Sequence, residues 1–568
     1  MAETPHDPEQ RWPAGPSAAF HERRLLVALA GACLVLVVLL AYLPALRGGF
    51  IWDDDAWTGK LLPVLRATSG LRAIWFEPKT LQQYYPLSGT TFWLDYQLWE
   101  FRPLPYHLEN VLLHAVAALL FWRSLRGLRV PGAALAGAIF ALHPLMVESA
   151  AWIAERKNVL SLCLCLASFL ALMRYRGEAV PLAARGPSAS SAHGLRAAHR
   201  KALDYLLALL LFVAAMFAKT SVCTMPAAAL LLIWFRAGAL RWREDVLPTI
   251  PFFSVALVLG AVTAWLEKMH VGAQGVEYAL TFSQRGLIAG HAFWFYLGKL
   301  LWLAHLCFVY PRWRPEAAAV GQWLYPIAAL GLLFMLWRKR ALLGRGPVTA
   351  LLFFAGTLAP LLGFANVYFM RYSFVCDHWT YLPSLGPIAL LSAGLSKLTE
   401  RRRPKPWAKL ALGAVLLFTL TTRRAAMYAN LEMLWRTTID DDPSSWVASN
   451  NLGNALFRSG NVAEAVSCFM RAIESKPDLA EAYTSLGVAF GSEGLIEEAI
   501  AKFTDAIRVA PDYAEAYYDL GIALDRAGRT DESIGQFEQA IRLKPGFSAA
   551  KARLRVALAR KRCEGLTK

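Results

Sequence analysis

Eleven apolar runs, each close to the ~20 residues a helix needs to cross a bilayer core, crowd the first 423 positions and restrict the fold more than any other feature. They lie near 25–46, 107–122, 132–152, 158–173, 202–218, 221–235, 246–266, 321–337, 347–365, 381–396 and 407–422, with 287–306 as a twelfth candidate. A chain built this way can only be a polytopic helical membrane protein over that stretch, because lipid leaves no partner for unpaired backbone groups. Composition agrees: 56% of residues are hydrophobic, 18% are charged and there are 20 Trp. The first run has no small-residue cleavage site and is followed directly by more runs, so it reads as a retained first helix rather than a signal peptide.

The net charge of +17 suggests nucleic acid until it is located. Residues 440–568 hold 16 Lys and Arg against 19 Asp and Glu, so the whole excess lies in the apolar part. There it marks topology, and no nucleic-acid partner is expected. Arg23-Arg24, Arg123/Arg126/Arg129, Arg174 to Lys201, Arg236/Arg241/Arg243, Arg338-Lys339-Arg340 and Arg401-Arg402-Arg403 are all assigned to the cytoplasmic side. Alternation then works for eleven spans if 287–306 is re-entrant or interfacial. The expected layout has a disordered cytoplasmic N-terminus (1–24), a membrane domain (25–423) with a long extracytoplasmic loop (48–106), and a linker (424–445). Residues 176–201 read as a flexible cytoplasmic linker. The eight cysteines show no metal-ligand spacing and read as small buried apolar residues.

Beyond the membrane domain the pattern changes to a repeat. Pro443, Pro477, Pro511 and Pro545 recur every 34 residues, in step with Gly453/Gly487/Gly521, Phe469/Phe503/Phe537 and Ala472/Ala506/Ala540. That period and those residue types are the tetratricopeptide signature. Gly and Ala let two helices approach, Phe fills the gap, and Pro ends the second helix. Residues 446–568 are therefore predicted to form three repeats, closed by an amphipathic helix over 547–562. The fold class is all-α: a membrane bundle of about eleven spans followed by an α-solenoid whose concave face is expected to bind a protein or peptide, with a structural spacer as the plainer alternative.

Chemistry has four candidate locations. Asp53-Asp54-Asp55 follows the first span beside Trp52 and Trp57, and three adjacent carboxylates repel one another. One of them could take a proton from an acceptor hydroxyl; an acidic cap or solvated turn is the plainer alternative. Tyr106-His107-Leu108-Glu109-Asn110 opens the second run, with His114 on the face of His107. His143-Pro144-Leu145-Met146-Val147-Glu148, then Trp152 and Glu155-Arg156-Lys157, sit at the edge of the third and fourth runs, where ionisable residues are functional candidates. Arg371 and Asp377-His378-Trp379-Thr380-Tyr381-Leu382-Pro383 form the fourth, and Lys219 stands between two short runs. A phosphate from a lipid-linked substrate would satisfy Arg371 or Lys219, as would ordinary headgroup contact. No Walker, dinucleotide, Ser-His-Asp or HExxH pattern occurs.

Phe-x-x-Asp-Asp after the first run, Tyr-His-Leu-x-Asn in the second, His-Pro-x-x-Val-Glu-x-x-x-Trp, Tyr-Leu-Pro-Ser and the trailing repeats together resemble the transmembrane-and-tetratricopeptide-repeat O-mannosyltransferase family, of GT-C fold. The resemblance covers nearly the whole chain. It implies a glycosyltransferase that moves mannose or another hexose from a polyprenyl-phosphate donor to a protein hydroxyl outside the cytoplasm. Asp53 and Asp54 match the family's acidic pair, one of them the general base. His107, His143, Glu148, Arg156, Lys157, Lys219, Arg371, Asp377 and His378 are the positions expected to hold donor or acceptor. Two positions depart from the family pattern: Thr220-Ser221 follow Lys219 where an acidic residue is expected, and Cys376-Asp377-His378 replaces an acidic-Arg pair. Inversion by single displacement is expected, with Arg371, Arg156 or Lys157 meeting the departing phosphate and no metal or cofactor beyond the lipid-linked sugar. The expected location is a bacterial inner membrane with the repeats outside, or the endoplasmic reticulum in a eukaryote. The alternative function is a non-catalytic membrane-anchored scaffold for envelope complexes, for which one span would serve.

Overall fold

The computed structural model describes residues 16–54, 59–177, 191–401 and 407–567. Asp55, Trp57, Arg402, Arg403 and most of the N-terminal segment lie outside these. Among the described residues there are helices and turns but no strand. Within those described residues, eight helices are long and apolar enough to cross a membrane: Arg24–Ala41, Pro103–Gly127, Ile153–Tyr175, Arg196–Ala218, Thr220–Ala237, Trp242–Val271, Val320–Arg338 and Leu410–Ala429. The chain is an all-helical integral membrane protein with a solenoid at its C-terminal end.

Several boundaries differ from the sequence expectation. The run at 132–152 is a pair of helices bent by 57° rather than a straight span. Pro144 causes the break: the residue before it, His143, is driven to an extended conformation (ψ 124°), and Pro144 itself offers no N–H to continue the ladder. The runs at 347–365 and 381–396 become the shorter helices Gly346–Leu361 and Leu385–Thr399. Residues 282–301 form one continuous helix opened by a Thr281/Gln284 capping box, with Arg285, His291 and Lys299 along it. The first helix begins at Pro16, inside the segment expected to be disordered, and residues 191–201, expected to be flexible, open the helix Ser191–Ala218.

The 424–445 segment is not a slack linker. Asn430 accepts a hydrogen bond from the Met433 N–H at 2.8 Å and starts a helix, Leu431–Asp441. Trp435 on that helix is buried against Trp52 (ring centroids 5.4 Å apart) and Phe308 (5.5 Å). Tyr372 meets Trp446 of the first repeat at 5.9 Å, and Lys476 pairs with Glu277 at 3.4 Å. The solenoid is thus seated on the membrane domain beside the loops that carry Trp52, Glu277, Phe308 and Tyr372.

The repeats are the helix pairs Trp446–Arg458 with Val462–Ser475, Ala480–Ser492 with Ile496–Val509, and Ala514–Arg526 with Thr530–Leu543, closed by Ser548–Thr567. A methyl added at Gly453, Gly487 or Gly521 would stand 2.6–2.7 Å from the ring of Phe469, Phe503 or Phe537. The repeated Gly and Phe are therefore two halves of one contact. Gly487→Ala is expected to destabilise the solenoid by about 1–3 kcal/mol, the usual range for overpacking a filled core. The fall in thermal midpoint should be largely reversed by Phe503→Leu in the same chain.

Candidate active site

The loop after the first span must turn sharply. Trp52 carries the turn at φ +43°, a left-handed conformation disfavoured for a bulky residue. Aromatic packing holds it there: Trp52 stacks on Trp152 (5.6 Å, 12°) and touches Phe308 at 5.1 Å in addition to Trp435. The turn sends the next two carboxylates in different directions.

Asp54 points into protein and is fully buried. Its Oδ2 accepts from the Ile51 N–H at 2.9 Å and its Oδ1 from the Ala154 N–H at 2.8 Å, stapling the turn after the first span to the broken loop of 144–157. Asp53 faces a cavity of about 380 Å³ whose walls also include Glu155, Lys157, Lys219, His378, Gln83 and Tyr372. It is open to that space but enclosed by surrounding protein. The resulting desolvation holds its carboxyl above the ordinary range, although the Lys157 ammonium pulls it down and Glu155 adds to the rise.

Opposite Asp53, one carboxylate organises two cations. Glu155 accepts from Lys157 through Oε1 at 3.0 Å and from Lys219 through Oε2 at 3.2 Å. His378 stands beside them, its Nδ1 2.7 Å from Glu148 Oε1 and its Nε2 3.9 Å from Glu155. Glu148 is buried behind the imidazole, so it fixes the ring without reaching the cavity. Gln83 bridges Lys157 (3.4 Å) to Glu267 (2.6 Å), tying the 48–106 loop to the floor of the site.

Asp53, Lys157, Lys219 and His378 are therefore the expected residues that share one cavity. The others hold the loops around it. His107 bridges the Ala151 carbonyl (3.0 Å) and the Gly49 carbonyl (3.3 Å). His143 meets the Leu300 carbonyl at 3.1 Å. Arg156 turns away from the cavity into a buried site with Asp95, Glu109 (2.9 Å) and the Asn110 side chain (2.9 Å), and lies over the Phe92 ring. Asp377 is buried between Tyr310 (2.7 Å) and Arg424 (3.1 Å). Arg371 binds the Tyr368 hydroxyl (2.8 Å) and Glu277 (3.7 Å), outside the cavity wall. Sequence reasoning named Glu155 among the candidate ionisable residues without giving it a role, and passed over Gln83, Glu267 and Tyr372. Glu155 and Glu267, ionisable residues at the ends of apolar runs, carried a usable signal; Gln83 and Tyr372 had none.

With this geometry in view, comparison with known proteins is informative. Models of the tetratricopeptide repeat match residues 453–494 and 484–546. Protein O-mannosyl-transferase TMTC4 of Mus musculus is 24% identical over 473 residues, 74% of this chain and 60% of that protein. Protein O-mannosyl-transferase TMTC1 of Homo sapiens is 24% identical over 510 residues, 79% of this chain and 55% of the human one. Over most of its length the chain is similar to proteins named as O-mannosyl-transferases. A shorter match, 30% identical over 167 residues, is to Protein O-mannosyl-transferase TMTC3 of Mus musculus and covers 28% of this chain and 17% of that protein. The chain thus spans only part of the length of these relatives, while the long matches cover 74% and 79% of it, more than the repeats alone could supply.

Proposed function

We propose that the protein is a membrane glycosyltransferase that moves a sugar from a polyprenyl-phosphate donor to a hydroxyl of a protein acceptor, in the cavity headed by Asp53 on the extracytoplasmic side. The names of its relatives make mannose the first sugar to test. The observation that carries the reading is the pairing of one cavity-facing carboxylate, Asp53, with two ammonium groups, Lys157 and Lys219, gathered on Glu155.

In this mechanism the acceptor oxygen attacks the anomeric carbon as Asp53 takes its proton. The bond to the lipid phosphate breaks with inversion, and the phosphate leaves with the electron pair. Lys157 and Lys219 meet its charge, in place of the Arg156 and Arg371 suggested by sequence alone. Carboxylate and ammonium groups do all of this, so the proposal needs no metal or further cofactor. The first repeat, with Trp446 against the cavity residue Tyr372, would bring the acceptor segment to the mouth of the site.

Purified protein incubated with labelled polyprenyl-phosphate mannose, and separately with other polyprenyl-phosphate hexoses, should transfer label to a protein acceptor. No transfer from any of these donors would defeat the reading. A pH profile gives a second check. A general base must be ionised, and burial raises the Asp53 pKa, so the acid limb of the rate should lie above the ordinary aspartate value of ~3.9. Lys157→Gln removes the attraction that opposes this rise, so it should move the limb to still higher pH.

A further inference from the structure

A second, larger cavity lies on the far side of the membrane domain from Asp53. It encloses about 460 Å³ between the helices Pro103–Gly127, Arg156–Tyr175, Met225–Ala237, Gly346–Leu358 and Leu385–Arg401. Its lining is almost wholly apolar, with Phe121, Phe169 and Phe353 among the walls. Along the helix from Gly346 to Thr357 it runs roughly 16 Å at 1.5 Å per residue, about half of a ~30 Å hydrocarbon core. The groove is as deep as one leaflet.

Its two ends differ. At the inner end a constriction lined by Thr357, Leu361, Trp379 and Leu382 leaves about 10 Å³ before the Asp53 cavity begins. That space has room for about one water. At the outer end stand Arg345 and Lys397, and among the described residues neither has a carboxylate partner. Arg345 donates to the Trp234 carbonyl at 3.0 Å, which orients the guanidinium without neutralising it. One turn further in, the Thr349 hydroxyl is buried without a hydrogen-bond partner and borders the groove. An apolar slot, a buried hydroxyl without a partner and two cations with no carboxylate partner among the described residues follow one another in that order.

The geometry points to a binding site for an anionic glycerophospholipid: one acyl chain in the groove, an ester oxygen on Thr349, and the phosphate on Arg345 and Lys397. This order matches the lipid from chain to headgroup, and the leaflet-length depth fits a chain entering from the bilayer face away from Asp53. The site is separate from the proposed donor site, because the groove and the Asp53 cavity share no lining residue. It depends on the chain being a membrane protein and not on sugar transfer.

The test uses the full chain in phosphatidylcholine nanodiscs doped with photoreactive phosphatidylglycerol, with photoreactive phosphatidylcholine as the control. The anionic probe should label the helices 346–358 and 385–401 in preference to the control. Arg345→Gln with Lys397→Gln should lower that preference roughly tenfold to thirtyfold, as expected for two surface cations. Ala389→Trp, which fills the groove, should block both probes. If it fails to fold, the charge variant decides alone. Undiminished preference in the charge variant, labelling elsewhere, or displacement of the probe by polyprenyl phosphate would each overturn the assignment; the last would make the groove a seat for the donor tail.

Discussion

Asp53→Asn is expected to lower sugar transfer by roughly 10²–10⁴-fold, the contribution of a positioned general base, while leaving membrane insertion and thermal midpoint unchanged. Asparagine is nearly isosteric and can still accept a hydrogen bond, but it cannot hold the acceptor proton. The neighbouring Asp54→Asn should behave in the opposite way. Asp54 accepts two backbone N–H bonds with no solvent around it, and an amide nitrogen turned toward either one leaves a buried donor unmet, at about 1–3 kcal/mol. The expected result is a lower yield of folded protein with near-normal transfer per folded molecule. Single-turnover rates normalised to folded protein separate the two. Equal loss of rate in both variants would remove the distinction between a base and a staple.

That distinction was beyond the reach of sequence. Two adjacent aspartates look alike until the backbone turns, and the turn at Trp52 depends on Phe308 and Trp435, more than 250 positions away. What could be read were the periodic features. Long apolar runs became spans, and the 34-residue register placed each Gly against its Phe. The bend at 132–152 was available in principle, because Pro144 sits in the middle of the run. The helix Leu431–Asp441 was harder: most of it is polar, and its stability comes from burying Trp435 in a pocket made by other parts of the chain. Arg156 and Lys157 show the same limit at a single peptide bond. They are neighbouring cations in sequence, yet one helical step of about 100° sends Arg156 into the core and Lys157 to the cavity.

Arg156 also leads to the largest expected loss of stability. Its guanidinium has no exposed surface and meets Asp95, Glu109, the Asn110 side chain and the Tyr106 carbonyl. Removing one partner of such a buried set leaves an uncompensated charge, which typically costs about 3–5 kcal/mol. Arg156→Met should therefore unfold the protein at a clearly lower temperature, although Met fills much of the same space over the Phe92 ring. Arg156→Met with Asp95→Leu removes the principal ion pair as a unit and should recover a large part of the loss, since a packed apolar pair can replace buried ions. Transfer should follow the folded fraction in both variants, because Arg156 does not line the cavity. A double variant no more stable than the single one would mean that Glu109, and not Asp95, carries the pairing. An unchanged midpoint in Arg156→Met would mean that the 144–157 loop is held by Asp54 and His107 alone.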